Sequence, residues 1–219
     1  MHSGAEGHAG ASGLLGPCHS PEIVAAMTVC AMAIREQVGA KMQVGMQILS
    51  GGNREAIGVA HACSLNFIRC ENFVFGHVAD EGVLLRAEAG PLLRYRKMIG
   101  AERVRVLCDL KKKHASHAIT ADVSLADAAH GAEFFGADGL IVTGTATGRP
   151  TSVDDVAEVR GASTLPLLVG SGVTPETVRE LFDAGADALI VGSWIKKGGN
   201  WKNAVDAKRS REMVKAATK

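Results

Sequence analysis

Two spacings of apolar residues take turns along this chain. In SPEIVAAMTVCAMAIREQ the apolar positions fall at helical spacing, Ser20 stands as an N-cap, Pro21 at the first helical position and Glu22 in the first turn. That arrangement predicts a helix from about Pro21 to Gln37. A short apolar run of strand length, MQVGMQILS, follows, and then NREAIGVAHACS, a helix with Asn53 as its cap. The unit then recurs: NFIRCEN with a helix around Gly90 to Ile99, VRVLCDL with SLADAAHGAEFFG, and GLIVTG with SVDDVAEVRG, capped by Ser152. It closes with LPLLVG and TPETVRELFDAG, then ALIVG and a helix near Ala207 to Ala217. Six strands each lead to a helix.

Strands joined by crossover helices pair in parallel, and a parallel sheet is covered on both faces. GLIVTG, LPLLVG and ALIVG are accordingly almost wholly apolar. The fold class is α/β. A doubly wound sheet would carry G-x-G-x-x-G after its first strand, and this chain does not. A TIM (β/α)8-type barrel is the better expectation, with its chemistry at the C-terminal ends of the strands and a phosphate site in the last βα loops.

The last two strand ends suit that site. In Gly170-Ser171-Gly172 the missing side chains let backbone amides approach a ligand, and Thr174-Pro175-Glu176 reads as N-cap, first position and first turn of the next helix. Gly192-Ser193 ends the neighbouring strand, with Lys196 and Lys197 close behind. The two loops together form an anion cradle for phosphate, the alternative being that the glycines only permit tight turns. A third loop, TGTATGRP, offers Thr143 and Thr145 as ligand-binding hydroxyls, or serves as a turn into the helix capped by Ser152.

Alternation along NFIRCEN puts Arg69 and Glu71 on one face and Ile68 and Cys70 on the other; along VRVLCDL it pairs Leu107 with Asp109 and Val106 with Cys108. With the apolar members turned to the helices, Glu71 and Asp109 meet at the rim. Beside Lys111 and Lys113 they suit acid/base catalysis or a divalent metal, or else balance charge inside the barrel. Lys111 is the candidate for charge stabilisation, Lys113 and His114 for ligand contact, and either lysine for a Schiff base. His114 and His117 have a spacing compatible with shared metal ligation. ENFVFGHVADEG, with His77, Asp80 and Glu81, reads as a lid over the mouth, and His61 and His130 as helix residues.

Composition removes several classes. The 219 residues are 47% hydrophobic and 21% charged, with a net charge of +1, which argues for a globular domain over residues 17–219 and against a nucleic-acid binder. Five cysteines, Cys18, Cys30, Cys63, Cys70 and Cys108, show no C-x-x-C pair, so a reducing compartment is expected. No apolar run is long enough to span a bilayer. Residues 1–16 read as a disordered lead without secretory or mitochondrial features, which makes the cytoplasm the default and a mitochondrial address a matter for a longer form.

ENFVFGHVADEG, LLRYRKMIGAERVRVLCDLKKKHASH, DGLIVTGTATG, PLLVGSGVTPETV and LIVGSWIKKGGNWKNAVD together resemble the BtpA/SgcQ family, from about Gly16 to the C-terminus. The resemblance implies a ribulose-phosphate-binding type of barrel whose first two strands are absent here. It also implies either an isomerase, epimerase or lyase acting on a small phosphorylated metabolite, or a non-catalytic assembly factor, a role linked to photosystem I in the cyanobacterial namesake. Absent strands would leave sheet edges at which copies of the chain could associate.

Overall fold

The computed structural model describes residues 19–218; the lead, His2, His8 and Cys18 lie outside them. Helix α1 (Pro21–Val38) starts as expected, the Ser20 carbonyl accepting from the amides of Ile23 and Val24, and ends at Gly39, whose φ of 68° is left-handed. Strand β1 (Gly45–Met46) is short, and α2 (Asn53–Ala62) returns the chain to β2 (Phe67–Cys70). After β3 (His77–Ala79), β4 (Gly82–Leu84) and α3 (Ala89–Met98) come β5 (Arg105–Leu110), β6 (Ala115–Ser116) and α4 (Leu125–Phe134). The units β7 (Gly139–Thr143) with α5 (Val153–Ala162), β8 (Leu167–Gly170) with α6 (Val178–Asp183), and β9 (Ala188–Ile190) with α7 (Ala207–Ala217) complete the order.

Six strands form one parallel sheet in the order β1-β2-β5-β7-β8-β9, curled into a half-barrel. The register explains the sequence pattern. Cys70 lies opposite Cys108 and Cys108 opposite Leu140. These residues, with Ile68, Val106, Val142 and Val169, are sealed under the helices against Ile57, Leu92, Val156 and Leu181. Each of the Val, Leu and Ile side chains among them contributes roughly 1.5–3 kcal/mol by leaving water. Leu107 and Ile141 are also buried, but on the concave face. Gly139 is small because a Cβ there would lie 2.6 Å from the Leu107 side chain.

The sheet ends are less covered. Strands β1 and β9 each pair on one side among the described residues. Only Ala31 of α1 is buried, while Val29, Met32 and Ile34 are at least half exposed, so this helix, apolar all round, has most of its surface in water.

Two local expectations are corrected. Helix α6 begins at Val178 rather than at Pro175, because residues 174–177 close a tight turn of their own. The Thr177 hydroxyl receives the Thr174 amide at 3.1 Å, and the Thr177 amide reaches the Thr174 carbonyl. Asn53 is not a cap: Gly52 takes that place, and the buried Asn53 amide clamps the Glu71 peptide group, donating to its carbonyl at 3.0 Å and accepting from its N–H at 3.2 Å. Ser152 does cap α5, its hydroxyl accepting from Asp155 N.

Candidate active site at the mouth of the half-barrel

At the C-terminal ends of β2 and β5 the polar residues interlock. Arg69 Nε stands 3.1 and 3.0 Å from the two carboxylate oxygens of Asp109, whose side chain is 1% exposed. Glu71 Oε1 accepts from Lys112 Nζ at 3.0 Å and from Gln47 Nε2 at 3.2 Å, while Oε2 accepts from the Gly51 amide at 2.7 Å. Lys112 Nζ also reaches Glu81 Oε2 at 3.1 Å. One buried ammonium therefore ties the floor of the mouth to the segment above it.

Burial acts against every charge here, and neighbours decide the outcome. Burial raises the Asp109 carboxyl above its ordinary range, although Arg69 pulls it the other way. For Lys112 burial alone would favour the neutral amine, but Glu71 and then Glu81 outweigh it and hold the ammonium above its usual range. A Schiff base needs a free amine, so Lys112 is a fixed cation and not a nucleophile.

Lys112 is the residue that the sequence did not single out. Lys111, chosen for charge stabilisation, adopts a left-handed φ of 44°, and that turn sends the next side chain into the mouth while Lys111 lies by Asp155 of α5. Lys113 and His114 join loop to loop: Lys113 Nζ donates to the Thr147 hydroxyl at 3.4 Å and His114 Nε2 lies 2.9 Å from it. The His114 amide donates to the Thr145 carbonyl at 3.2 Å. His114 and His117 do not share a site, since His117 Nε2 bonds the Lys112 carbonyl at 3.0 Å. Among the described residues no three His, Cys, Asp or Glu side chains converge as a metal site.

The segment expected as a lid is a small antiparallel sheet, β4-β3-β6, with Val78 opposite both Val83 and Ser116. Its inward face carries His77, 4% exposed, whose ring centroid lies 5.4 Å from that of His117. Burial, then Lys112 and His117, push the His77 imidazole down to about 4, so it is neutral at physiological pH.

The opposite side of the mouth is built from backbone. Gly170 sits beside Thr143 and Ile190 in the inward row, and Ser171 and Gly172 both take left-handed φ values, 76° and 63°. Gly172 is required by packing: a Cβ would lie 2.5 Å from Pro150 N of the loop after β7. At Gly192, by contrast, a Cβ would meet nothing within 4 Å. Among the described residues the amides of Gly172, Val173, Gly192 and Ser193 have no backbone partner within the loops, and the hydroxyls of Thr143 and Ser171 are buried without partners. Thr145 is exposed. Arg209 of α7, absent from the sequence-based candidates, braces this side by lying 4.2 Å over the Trp194 ring and donating to the Trp194 carbonyl. With α6 starting at Val178, no helix N-terminus follows directly on Gly172.

A parallel, curled sheet whose strand ends carry buried charge on one side and open amides on the other defines a β/α-barrel-type protein. The chain belongs to the BtpA family, whose family model matches residues 17–219. It is 42% identical over 202 residues to an uncharacterized mitochondrial protein of Caenorhabditis elegans, covering 91% of this chain and 72% of that one. It is 32% identical over 197 residues to the photosystem I biogenesis protein BtpA of Synechocystis, covering 90% and 67%. Among solved structures, thiamine phosphate pyrophosphorylase from Pyrococcus furiosus superposes with a TM-score of 0.61 at 14% identity, covering 92% of this chain and 79% of that one.

Proposed function

We propose that the mouth binds a small phosphorylated metabolite and acts on it by proton transfer, as an isomerase, epimerase or lyase. The observation that carries this reading is the pairing, on one rim, of amide-rich loops at Gly170–Gly172 and Gly192–Ser193 with the buried Arg69–Asp109 and Lys112–Glu71 pairs. Amides suit a phosphate, because they satisfy an anion without a cation whose desolvation must be overcome. Asp109 is the proton carrier: burial brings its carboxyl closer to neutrality, where proton exchange is efficient. Glu71, saturated by three donors, holds Lys112 in place, and the Lys112 ammonium stabilises negative charge that develops on the ligand.

Titration calorimetry with inorganic phosphate tests the cradle. Gly192→Asp is the informative variant, because its Cβ has room and its carboxylate repels an anion; binding should weaken at least about tenfold, the effect of roughly 1.4 kcal/mol. Unchanged affinity would sink the cradle. Asp109→Asn should keep phosphate affinity and lose proton exchange between water and a phosphorylated ketose, followed by NMR in heavy water.

One finding favours a second reading. The Synechocystis relative is named for photosystem I biogenesis, which supports an assembly role for the same half-barrel. A protein of that kind would show neither phosphate binding nor exchange. The name of the Caenorhabditis elegans relative supports a mitochondrial setting, which cell fractionation tests.

A further inference from the structure

Between the β4-β3-β6 flap and the loop after β7, three side chains outside the ion network of the mouth stand in a row. Asp80 Oδ2 lies 3.6 Å from His114 Nδ1, and His114 Nε2 lies 2.9 Å from the Thr147 hydroxyl oxygen. A neighbour that can only donate settles the tautomer. The Thr147 amide gives its proton to Nε2 at 3.2 Å, so Nε2 carries the lone pair and Nδ1–H faces the carboxylate. A carboxylate, a base and a hydroxyl thus stand in the order that activates a nucleophile.

Main chain holds the row at both ends. His114 has a left-handed φ of 57°, its carbonyl accepts from the Asp80 amide at 3.0 Å, and its amide donates to the Thr145 carbonyl at 3.2 Å. Those two backbone bonds already join the loops, so the ring is left to act on Thr147. The Thr147 oxygen also accepts from Lys113 Nζ at 3.4 Å, and a cation there favours the deprotonated hydroxyl. The next amide, of Gly148, has no backbone partner among the described residues, and a Cβ on Gly148 would meet nothing within 4 Å. A carbonyl group approaching Thr147 therefore finds both room and a donor for the charge that develops on its oxygen. Thr145, also exposed, offers His114 its carbonyl rather than its hydroxyl.

We propose that Asp80, His114 and Thr147 form a catalytic site distinct from the mouth, at which Thr147 attacks small carboxylic esters. His114 Nε2 takes the hydroxyl proton as Thr147 Oγ1 bonds to the carbonyl carbon, and the carbonyl electron pair moves onto its oxygen beside the Gly148 amide. Collapse of that intermediate breaks the bond to the alcohol, which leaves with the proton from Nε2. The acyl group stays on Thr147 until a water, deprotonated by the same imidazole, releases it as the acid and restores the hydroxyl. Asp80 is a positioning residue that holds Nδ1–H and offsets the charge of the imidazolium. Exposed Thr145, Gly148 and Arg149 surround the hydroxyl, which suits a short, hydrated acyl group over a long apolar one. The site shares no side chain with the Arg69–Asp109 and Lys112–Glu71 pairs and acts whether or not a phosphate binds at the mouth.

The test is to incubate the full chain with p-nitrophenyl acetate, follow release of nitrophenolate, and map the acetyl group by mass spectrometry after an acid quench. Thr147 should carry at least about ten times the label of Thr145, and turnover should be about a hundredfold above that of Thr147→Val. Thr147→Ser should keep the activity. His114→Asn, a side chain that tolerates the left-handed backbone, should lose both label and turnover. Asp80→Asn should slow acylation about fivefold, the scale of an exposed ion pair, and Asp80→Glu should restore most of it at an unchanged melting temperature, a split that a merely structural tie would not produce. Equal labelling of Thr145 and Thr147 overturns the site. So does a label on Thr147 that persists in His114→Asn, because the hydroxyl then needs no base. Should His114→Asn lower the melting temperature, the Thr147→Val and Thr147→Ser pair decides, since both keep the backbone bonds of His114, and equal turnover by these two variants overturns the nucleophile.

Discussion

The two sides of the mouth solve the problem of placing polarity in opposite ways. On the β2–β5 side the work is done by side chains: Arg69, Glu71, Asp109 and Lys112 are largely or wholly buried, and each is held by charged neighbours. On the β8–β9 side it is done by main chain, with Gly170, Gly172 and Gly192 keeping side chains away. A buried ion network is intolerant of deletion, because removing one partner strands the other in a medium that cannot solvate it. A backbone loop has no partner to strand, and its tolerance depends only on whether a Cβ has room.

Deleting the shared cation should break the first side most severely. Lys112→Met leaves Glu71 buried without its ammonium, and a loss of about 3–5 kcal/mol in urea unfolding is expected. A loss below about 1 kcal/mol would mean that water relaxes this side and the contrast between the two is false.

The next effect is one of pH. The unfolded chain takes up a proton on His77 as pH falls through the ordinary histidine value, while the folded imidazole stays neutral down to about 4. Stability is therefore full above roughly pH 6.5 and declines as pH falls through that window, by about 3 kcal/mol in total. His77→Phe should remove that part of the slope in denaturation curves between pH 4 and 7, and an unaltered slope would show that His77 is solvated in the fold.

The glycines sharpen the comparison on the second side. Gly172→Ala must adopt a left-handed φ and press against Pro150, which should cost about 2 kcal/mol. Gly192→Ala should stay within about 0.5 kcal/mol of the native protein in the same thermal melts, because its Cβ enters open space. Equal losses at the two positions would erase the distinction between a glycine held by packing and one left open to a ligand.

Much of the scaffold was legible because parallel strands print themselves as apolar runs. GLIVTG and LPLLVG match β7 and β8 closely, and the period-two rule put Arg69 on the same face as Asp109, which the 3.0 Å contact between them reflects. What escaped depends on geometry that no local pattern encodes. Within KKKH nothing marks the middle lysine until the left-handed turn at Lys111 directs it inward. The β4-β3-β6 sheet is made of two- and three-residue strands, and although β3 and β4 form a tight hairpin, β6 joins β3 from beyond α3 and β5, so the order of the sheet is a product of tertiary pairing. Asn53 has the chemistry of a cap, and only its burial against the Glu71 peptide gives it another task. Gly172 was read as room for a ligand's approach or for a tight turn, whereas the atoms that a Cβ there would meet are the Pro150 backbone of a different loop.

The Lys112 bridge also makes the flap and the floor of the mouth one mechanical piece. Its ammonium is shared by Glu71, just past the end of β2, and Glu81, in the turn between β3 and β4, so the flap cannot lift without drawing a carboxylate off the buried cation. Such a step leaves a charge without its partner in a poorly solvated place, and the flap is therefore a latch whose release is opposed by electrostatics rather than by packing.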